Sequence, residues 1–201
     1  MRAEERRYYE LRAPEYDDWY FGVGRFEGIE RAGWDEELAE LVAVVEGLPP
    51  ARVLDVACGT GFLTQHLRGD VTAVDQSETM LAIARARCPG VAFTHGDALA
   101  LPFADGNFDR LFTGHFYGHL PEDHRAQFLT EARRLAPELV VVDTAVRPRV
   151  AREEIHERVL GDGSRHDAYK RYFDADELAG ELGGADVLHA GEWFVVVAAA
   201  E

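Results

Sequence analysis

The stretch ARVLDVACGTGFLTQHLRGDVTAVD, residues 51 to 75, constrains this chain more than any other. The apolar run Val53-Leu54 closes on Asp55, and Ala57-Cys58-Gly59-Thr60-Gly61 follows. Phe62, Leu63, His66 and Leu67 then recur at helical spacing, and a second apolar run, Val71 to Val74, closes on Asp75. Strand, glycine turn, helix, strand and acid is the order of a nucleotide-binding βαβ unit. The glycines let the backbone turn with positive φ and approach a ligand closely. A carboxylate at the end of the second strand can accept hydrogen bonds from both hydroxyls of a ribose. A dinucleotide fingerprint would read G-x-G-x-x-G; here its first position is Ala57 and its third is Phe62. A pyrophosphate site is therefore disfavoured, and a nucleoside without phosphates is expected.

The remaining chain reads as alternating elements. Residues 4 to 13 have a helical pattern that Pro14 interrupts. An aromatic, glycine-rich stretch follows, holding Tyr16, Trp19, Tyr20, Phe21, Phe26 and Trp34. From Asp35, read as an N-cap, Leu38, Leu41, Val42 and Val45 recur at helical spacing as far as Gly47 and Pro49-Pro50. Ser77 caps a helix through Met80, Leu81 and Ile83. Val91 to Thr94, Phe108 to Thr113 and Leu139 to Val142 read as strands, with an amphipathic helix over Glu122 to Leu135. Val150 to Leu160 is predicted helical, GDGSRHD a polar loop, and Asp174 to Leu182 a capped helix. Val187 to His189 and Trp193 to Ala199 lie too close together for a helical crossover, so they must pair antiparallel.

The expected fold is α/β: a doubly wound, mostly parallel seven-stranded sheet with a C-terminal antiparallel strand and helices on both faces. At 201 residues, one domain is expected. It divides into an N-terminal lid over 1–50, a cofactor-binding core over 51–147, a substrate-side insertion over 148–185 and a terminal β-hairpin over 186–201. The 37 acidic residues against 21 Lys and Arg give a net charge of −16, the opposite of the basic face a nucleic-acid binder presents. Cys58 and Cys88 sit in no metal-ligand spacing, so no metal is expected and a cytoplasmic setting is the simplest reading. The charged N-terminus shows no signal peptide, and no run reaches the roughly 20 apolar residues of a membrane span. Monomer and homodimer are both compatible with the sequence.

The series D-x-A-C-G-T-G, then V-D-Q-S, then GDALALPFADGNFD resembles the class I S-adenosylmethionine-dependent methyltransferases of small-molecule type, across roughly residues 40 to 200. Ala57 stands where that family has its first glycine. The resemblance implies S-adenosylmethionine as cofactor, S-adenosylhomocysteine as product, and O-, N- or C-methylation of a small-molecule acceptor. It implies that Asp75, with Gln76 beside it, takes the ribose, and that Asp97 and the Ala98 N–H take the adenine edge. Met80 and Leu99 would flank the adenine faces. Ala57, Cys58, Gly59 and Gly61 would shape the turn around the methionine portion, with Asp55 organising that loop or receiving the ammonium group. Thr113 would contact the ligand from a strand C-terminus, and Tyr16 and Tyr20 would close over the cofactor with their hydroxyls and their cation-attracting faces.

On the acceptor side the candidates are His115, His119, Arg165 and Tyr169. His115 and His119 are spaced i, i+4, but H-F-Y-G-H lacks the glutamate of H-E-x-x-H, which argues against a zinc hydrolase. His115 is the candidate general base, because methylation of a hydroxyl calls for removal of its proton. Two other readings stay open: a non-catalytic S-adenosylmethionine-binding module, and a nicotinamide-dependent oxidoreductase.

Overall fold

Seven strands, β1 (Ala51–Val56), β2 (Gly69–Asp75), β3 (Ala92–His95), β4 (Arg110–Gly114), β5 (Glu138–Thr144), β8 (Asp186–Ala190) and β9 (Phe194–Ala200), form one sheet in the order β3-β2-β1-β4-β5-β9-β8 in the computed structural model, which describes residues 3–200. Met1, Arg2 and Glu201, at the ends of the expected lid and hairpin segments, lie outside the described residues. β1 to β5 run parallel, while β9 pairs antiparallel with both β5 and β8. The expected sheet, with its reversed strand, is the one observed.

Central parallel strands are covered on both faces and need continuous apolar runs. Val53, Leu54 and Val56 of β1 and Val140 to Val142 of β5 supply them, all fully buried. On one face α3 (Trp34–Gly47) packs Leu41 and Val45 against Val53, Phe112 and Val140. On the other, α5 (Glu122–Leu135) presents Phe128, Ala132 and Leu135, spaced for one helical face, beside Leu178 of α6 (Ala175–Glu181). Ser77 caps α4 (Glu78–Arg87) by accepting from the Met80 N–H, and Asp174 caps α6 by accepting from the Asp176 and Glu177 N–H groups. α3 instead starts from Gly33, at φ 72°, and Asp35 belongs to its first turn.

Three sequence expectations fail for identifiable reasons. The helix after Gly61 is only a 3-10 turn, Thr64–His66. The chain must return about 20 Å along β1 at ~3.3 Å per strand residue, and seven helical residues would cover only about 10 Å. Extended backbone is therefore required. The β3-to-β4 connection, broken by Gly96, Pro102 and Gly106, holds no helix, so the strands are not all helix-alternated. The predicted helix over Val150 to Leu160 is a strand, β6 (Glu153–Val159), which pairs antiparallel with β7 (Arg165–Arg171) as a separate hairpin.

The N-terminal segment folds as α1 (Ala3–Arg12), a 3-10 turn over Ala13–Glu15 and the short α2 (Asp18–Phe21). α1 is tied to the sheet side by Glu10, whose carboxylate accepts from the Glu78 and Thr79 N–H groups at the start of α4. Asp17 accepts from Thr60 Oγ1 at 2.6 Å and pairs with Arg87 at 2.5 Å. These contacts bring the aromatic stretch over the strand C-termini.

Candidate active site

Two parallel strands end side by side in left-handed turns. After β1 comes Ala57 at φ 59°, with Gly59 at 54° and Gly61 at 78°; after β4 comes His115 at φ 56°. Non-glycine residues rarely hold this conformation, and here the surrounding hydrogen bonds impose it. The Cys58 N–H donates to the Val74 carbonyl at 3.0 Å, and the His115 N–H donates to that of Val142 at 2.8 Å. Asp75 locks the first turn, accepting from the Gly59 N–H at 2.9 Å and the Ser77 N–H at 2.8 Å, one through each oxygen. The Gln76 N–H is a third backbone donor to it, and a carboxylate has about four acceptor sites, so one remains for a ligand. Burial raises the Asp75 pKa against the pull of these donors.

A cavity opens over the turn. Asp75, Gln76, Met80, Asp97, Ala98 and Leu99 line it, together with Ala57, Gly59 and Tyr16, all of them cofactor-side candidates from the sequence. Tyr9, Val74, Gly96, Gly114, Phe116, Leu120, Pro121 and His124 line it as well, without having been expected. A methyl group on Gly59 would stand 3.7 Å from the Tyr16 ring, so the turn and that ring face each other. Asp97 accepts from the Leu99 N–H at 3.0 Å, which fixes the loop after β3.

The other expected cofactor contacts lie elsewhere. Asp55, Cys58 and Tyr20 line a smaller pocket beneath the turn. Asp55 accepts from Thr64 Oγ1 at 2.6 Å, and burial lifts its pKa to about 7. This is the loop-organising arrangement. Burial also pushes the Cys58 thiol pKa up, making it less reactive. Tyr20 is buried, stacked on Phe62 at 3.8 Å between ring centroids. Gly61 also serves packing: an added methyl would meet Ala84 of α4 and its C-cap Cys88 at 3.2–3.3 Å. Thr113 is fully buried and donates to the Val56 carbonyl at 2.8 Å, so it braces β1 against β4 and lines none of these cavities.

A second cavity, of about 270 Å³, adjoins the first and shares Tyr9, Tyr16, His115 and His119 with it. Its remaining wall comes from Arg12, Trp19, Thr144, Arg147 and Trp193, and from His156, Arg158, Lys170 and Tyr172 of the hairpin region. Arg165 and Tyr169 do not line it. Successive strand residues point to opposite faces, so Lys170 is buried inward while Arg165 is exposed and pairs with Glu157. The Tyr169 hydroxyl accepts from Arg125 at 3.4 Å, outside both cavities. The signal for the hairpin residues that line the cavity was available: two runs of period-2 alternation around the GDGS turn are a hairpin signature.

His115 stands at the junction, buried, with both ring nitrogens unpartnered. Trp19, Tyr20 and Phe194 surround it at 5.1–5.9 Å between centroids. Burial in that cage, against the weaker pull of Asp143, lowers its pKa to about 4. It is neutral at physiological pH and a feeble base, which weakens the proton-abstracting role its sequence position suggested. His119 Nδ1 donates to the Tyr169 carbonyl at 2.7 Å, leaving Nε2 as an acceptor, and burial holds its pKa well below the usual range. Beneath both rings, Lys170 Nζ donates to Asp143 Oδ1 at 2.6 Å, and Asp143 also accepts from the Gly118 and Thr144 N–H groups, each at 2.7 Å.

Residues 53–138 match the family model described as methyltransferase domain. The demethylmenaquinone methyltransferase of Renibacterium salmoninarum is 46% identical over 72 residues, covering 34% of this chain and 30% of that protein. The malonyl-[acyl-carrier protein] O-methyltransferase of Erwinia pyrifoliae is 48% identical over 65 residues, 31% and 25% respectively. The matched part thus spans less than a third of either relative. The solved structure of DhpI in complex with SAH aligns along nearly the whole length, with a TM-score of 0.72, 26% identity and coverage of 97% of this chain and 94% of that one. The chain carries, over residues 53–138, a methyltransferase domain, and it has the class I fold of the S-adenosylmethionine-dependent methyltransferases.

Proposed function

We propose that this protein transfers a methyl group from S-adenosylmethionine to a small-molecule acceptor. One observation carries the reading: two cavities meet at the strand C-termini, and only the first holds the carboxylates that suit an adenosyl group. The residues fit that ligand. Asp75 keeps an acceptor site for a ribose hydroxyl, and Asp97 with the Ala98 N–H faces the adenine edge. Met80 and Leu99 offer apolar surface to the ring. When bound, S-adenosylmethionine supplies an electrophilic methyl on a cationic sulfur.

The chain's own contribution is placement. Tyr9 and Tyr16 close the junction from the N-terminal segment, which acts as the lid, and exclude water from it. Burial raises the Tyr16 pKa to about 12, so it meets the ligand as a neutral phenol whose face favours a cation. Neutral His115 and His119 offer hydrogen bonds to the acceptor and hold it for in-line attack; proximity and orientation supply the rate. The acceptor brings its own nucleophilic lone pair. A rate without an inflection near the ordinary histidine pKa is the expected pH profile.

The hairpin and the segment after β5 form the acceptor side. Among the described residues no helix is long and apolar enough to cross a membrane. Cys58 and Cys88 are free thiols, which suits a reducing, cytoplasmic setting. The direct test is thermal unfolding with S-adenosylmethionine, S-adenosylhomocysteine and NAD, followed by transfer of labelled methyl to an acceptor panel. Stabilisation by the two adenosyl ligands alone is expected. Stabilisation by NAD alone would replace the reading with an oxidoreductase.

A further inference from the structure

The second cavity inverts the composition of the protein. In a chain with 37 acidic residues against 21 Lys and Arg, its wall holds Arg12, Arg147, Arg158 and Lys170 and not one Asp or Glu. The three arginines reach it from α1, from the segment after β5 and from β6, so the tertiary fold, not a local charge run, brings them together. Concentrating like charges at a partly buried site is unfavourable without an opposite charge.

The partners these cations do have leave that need unmet. Lys170 is neutralised by Asp143. Arg12 donates to the Tyr8 hydroxyl and lies over the Tyr16 ring at 5.0 Å. Arg147 stacks on Trp193 at 4.0 Å; of the two acids whose field reaches it, Glu192 and Glu37, Glu37 already accepts from the Glu192, Trp193 and Phe194 N–H groups at 2.7–3.0 Å. The Nε atoms of Arg147 and Arg158 are buried with no hydrogen-bond partner. An unsatisfied buried donor on a charged group is costly to keep, and a guanidinium fork matches the oxygens of a carboxylate or a phosphoryl group.

We infer that the acceptor is a compact acid, whose carboxylate or tetrahedral oxyanion is anchored between Arg147 and Arg158 while its reacting atom faces the His115–His119 junction. This rests on the methyltransferase reading for the identity of the bound acid as acceptor. Anion binding itself can be measured apart from it. The acetate and phosphate arms below separate the two oxyanion types.

The test is isothermal titration of the protein with and without saturating S-adenosylhomocysteine, using inorganic phosphate, methylphosphonate, acetate and neutral acetamide as probes. At least one anion is expected to bind saturably and acetamide not at all. Arg158→Gln and Arg147→Gln should each weaken that anion at least tenfold, with affinity for S-adenosylhomocysteine unchanged. Arg158→Lys, which keeps the charge, should recover most of the loss and so exclude a folding defect. Equal binding of acetamide, or equal anion affinity in the glutamine variants, overturns the inference. If S-adenosylhomocysteine fails to bind while the anion result holds, the cofactor reading falls and the oxyanion site stands.

Discussion

Replacing Lys170 with Met tests the electrostatic floor beneath both cavities. Asp143 is fully buried and Lys170 is 4% exposed. Burial alone would raise the Asp143 pKa, but the field of Lys170, with smaller help from His115 and the backbone donors, holds it below the ordinary value. Lys170→Met leaves that carboxylate buried without its cation, a change that costs about 3–5 kcal/mol. For a domain of this size, with about 2–4 °C per kcal/mol, the midpoint should fall by roughly 6–20 °C. The pH dependence gives a second readout. In the wild type the depressed carboxyl contributes stability above its unfolded pKa, and that contribution disappears as pH falls through the folded value. In Lys170→Met the folded pKa is raised instead, so the deficit is full at neutral pH and shrinks on acidification as Asp143 takes a proton. Adding Asp143→Asn should recover part of the loss, because the amide carries no charge, though it cannot accept from both the Gly118 and Thr144 N–H groups as well as a carboxylate does. Thermal unfolding between pH 5 and 8 measures all of this. A single variant within 1 kcal/mol of wild type, or a deficit that grows with acid, would refute the account of the pair.

Ala57→Gly should stabilise the fold by about 0.5–1 kcal/mol in urea unfolding, since relief of a left-handed alanine, ~1–2 kcal/mol, exceeds the entropic cost of glycine. Asp55, with a pKa near 7 from burial, favours folding in its protonated form; wild-type stability should decline as pH rises from about 4 to 7, and Asp55→Asn should flatten that slope. Asp75→Ala should abolish the thermal shift with S-adenosylhomocysteine, and by removing the acceptor of the Gly59 N–H should also cost about 1–3 kcal/mol of stability. A retained ligand shift in that variant would remove Asp75 from the ribose site.

The sheet and the lining of the first cavity were readable because their signals are local. Uninterrupted apolar runs mark strands covered on both faces, and Asp75, Met80 and Asp97 follow the glycine turn at short intervals. The second cavity was less readable for two reasons. Ile155, Val159 and Leu160 mimic a helical repeat, which hid the alternation of β6 and β7 and with it the fact that Arg165 and Tyr169 lie outside the second cavity. And Lys170 gains its meaning only from Asp143, 27 residues earlier, while Arg12 and Arg158 meet only through the packing of α1 near the hairpin. Gly61 and Thr113 carry structural work that the sequence does not display: Gly61 shapes the turn and also packs against α4, and Thr113 braces β4 against a β1 carbonyl.

The two cavities also divide the chain by inheritance. Apart from Tyr9 and Tyr16, the walls of the first come from residues 57 to 124, inside the segment that matches the methyltransferase domain. The walls of the second, apart from the junction histidines, come from residues 9–19 and 144–193, which flank that segment on both sides. On the proposed reading, acceptor preference can therefore drift, or be transplanted as a pair of terminal cassettes, while the cofactor half is left untouched. Because the two cassettes meet in one wall, they must change together.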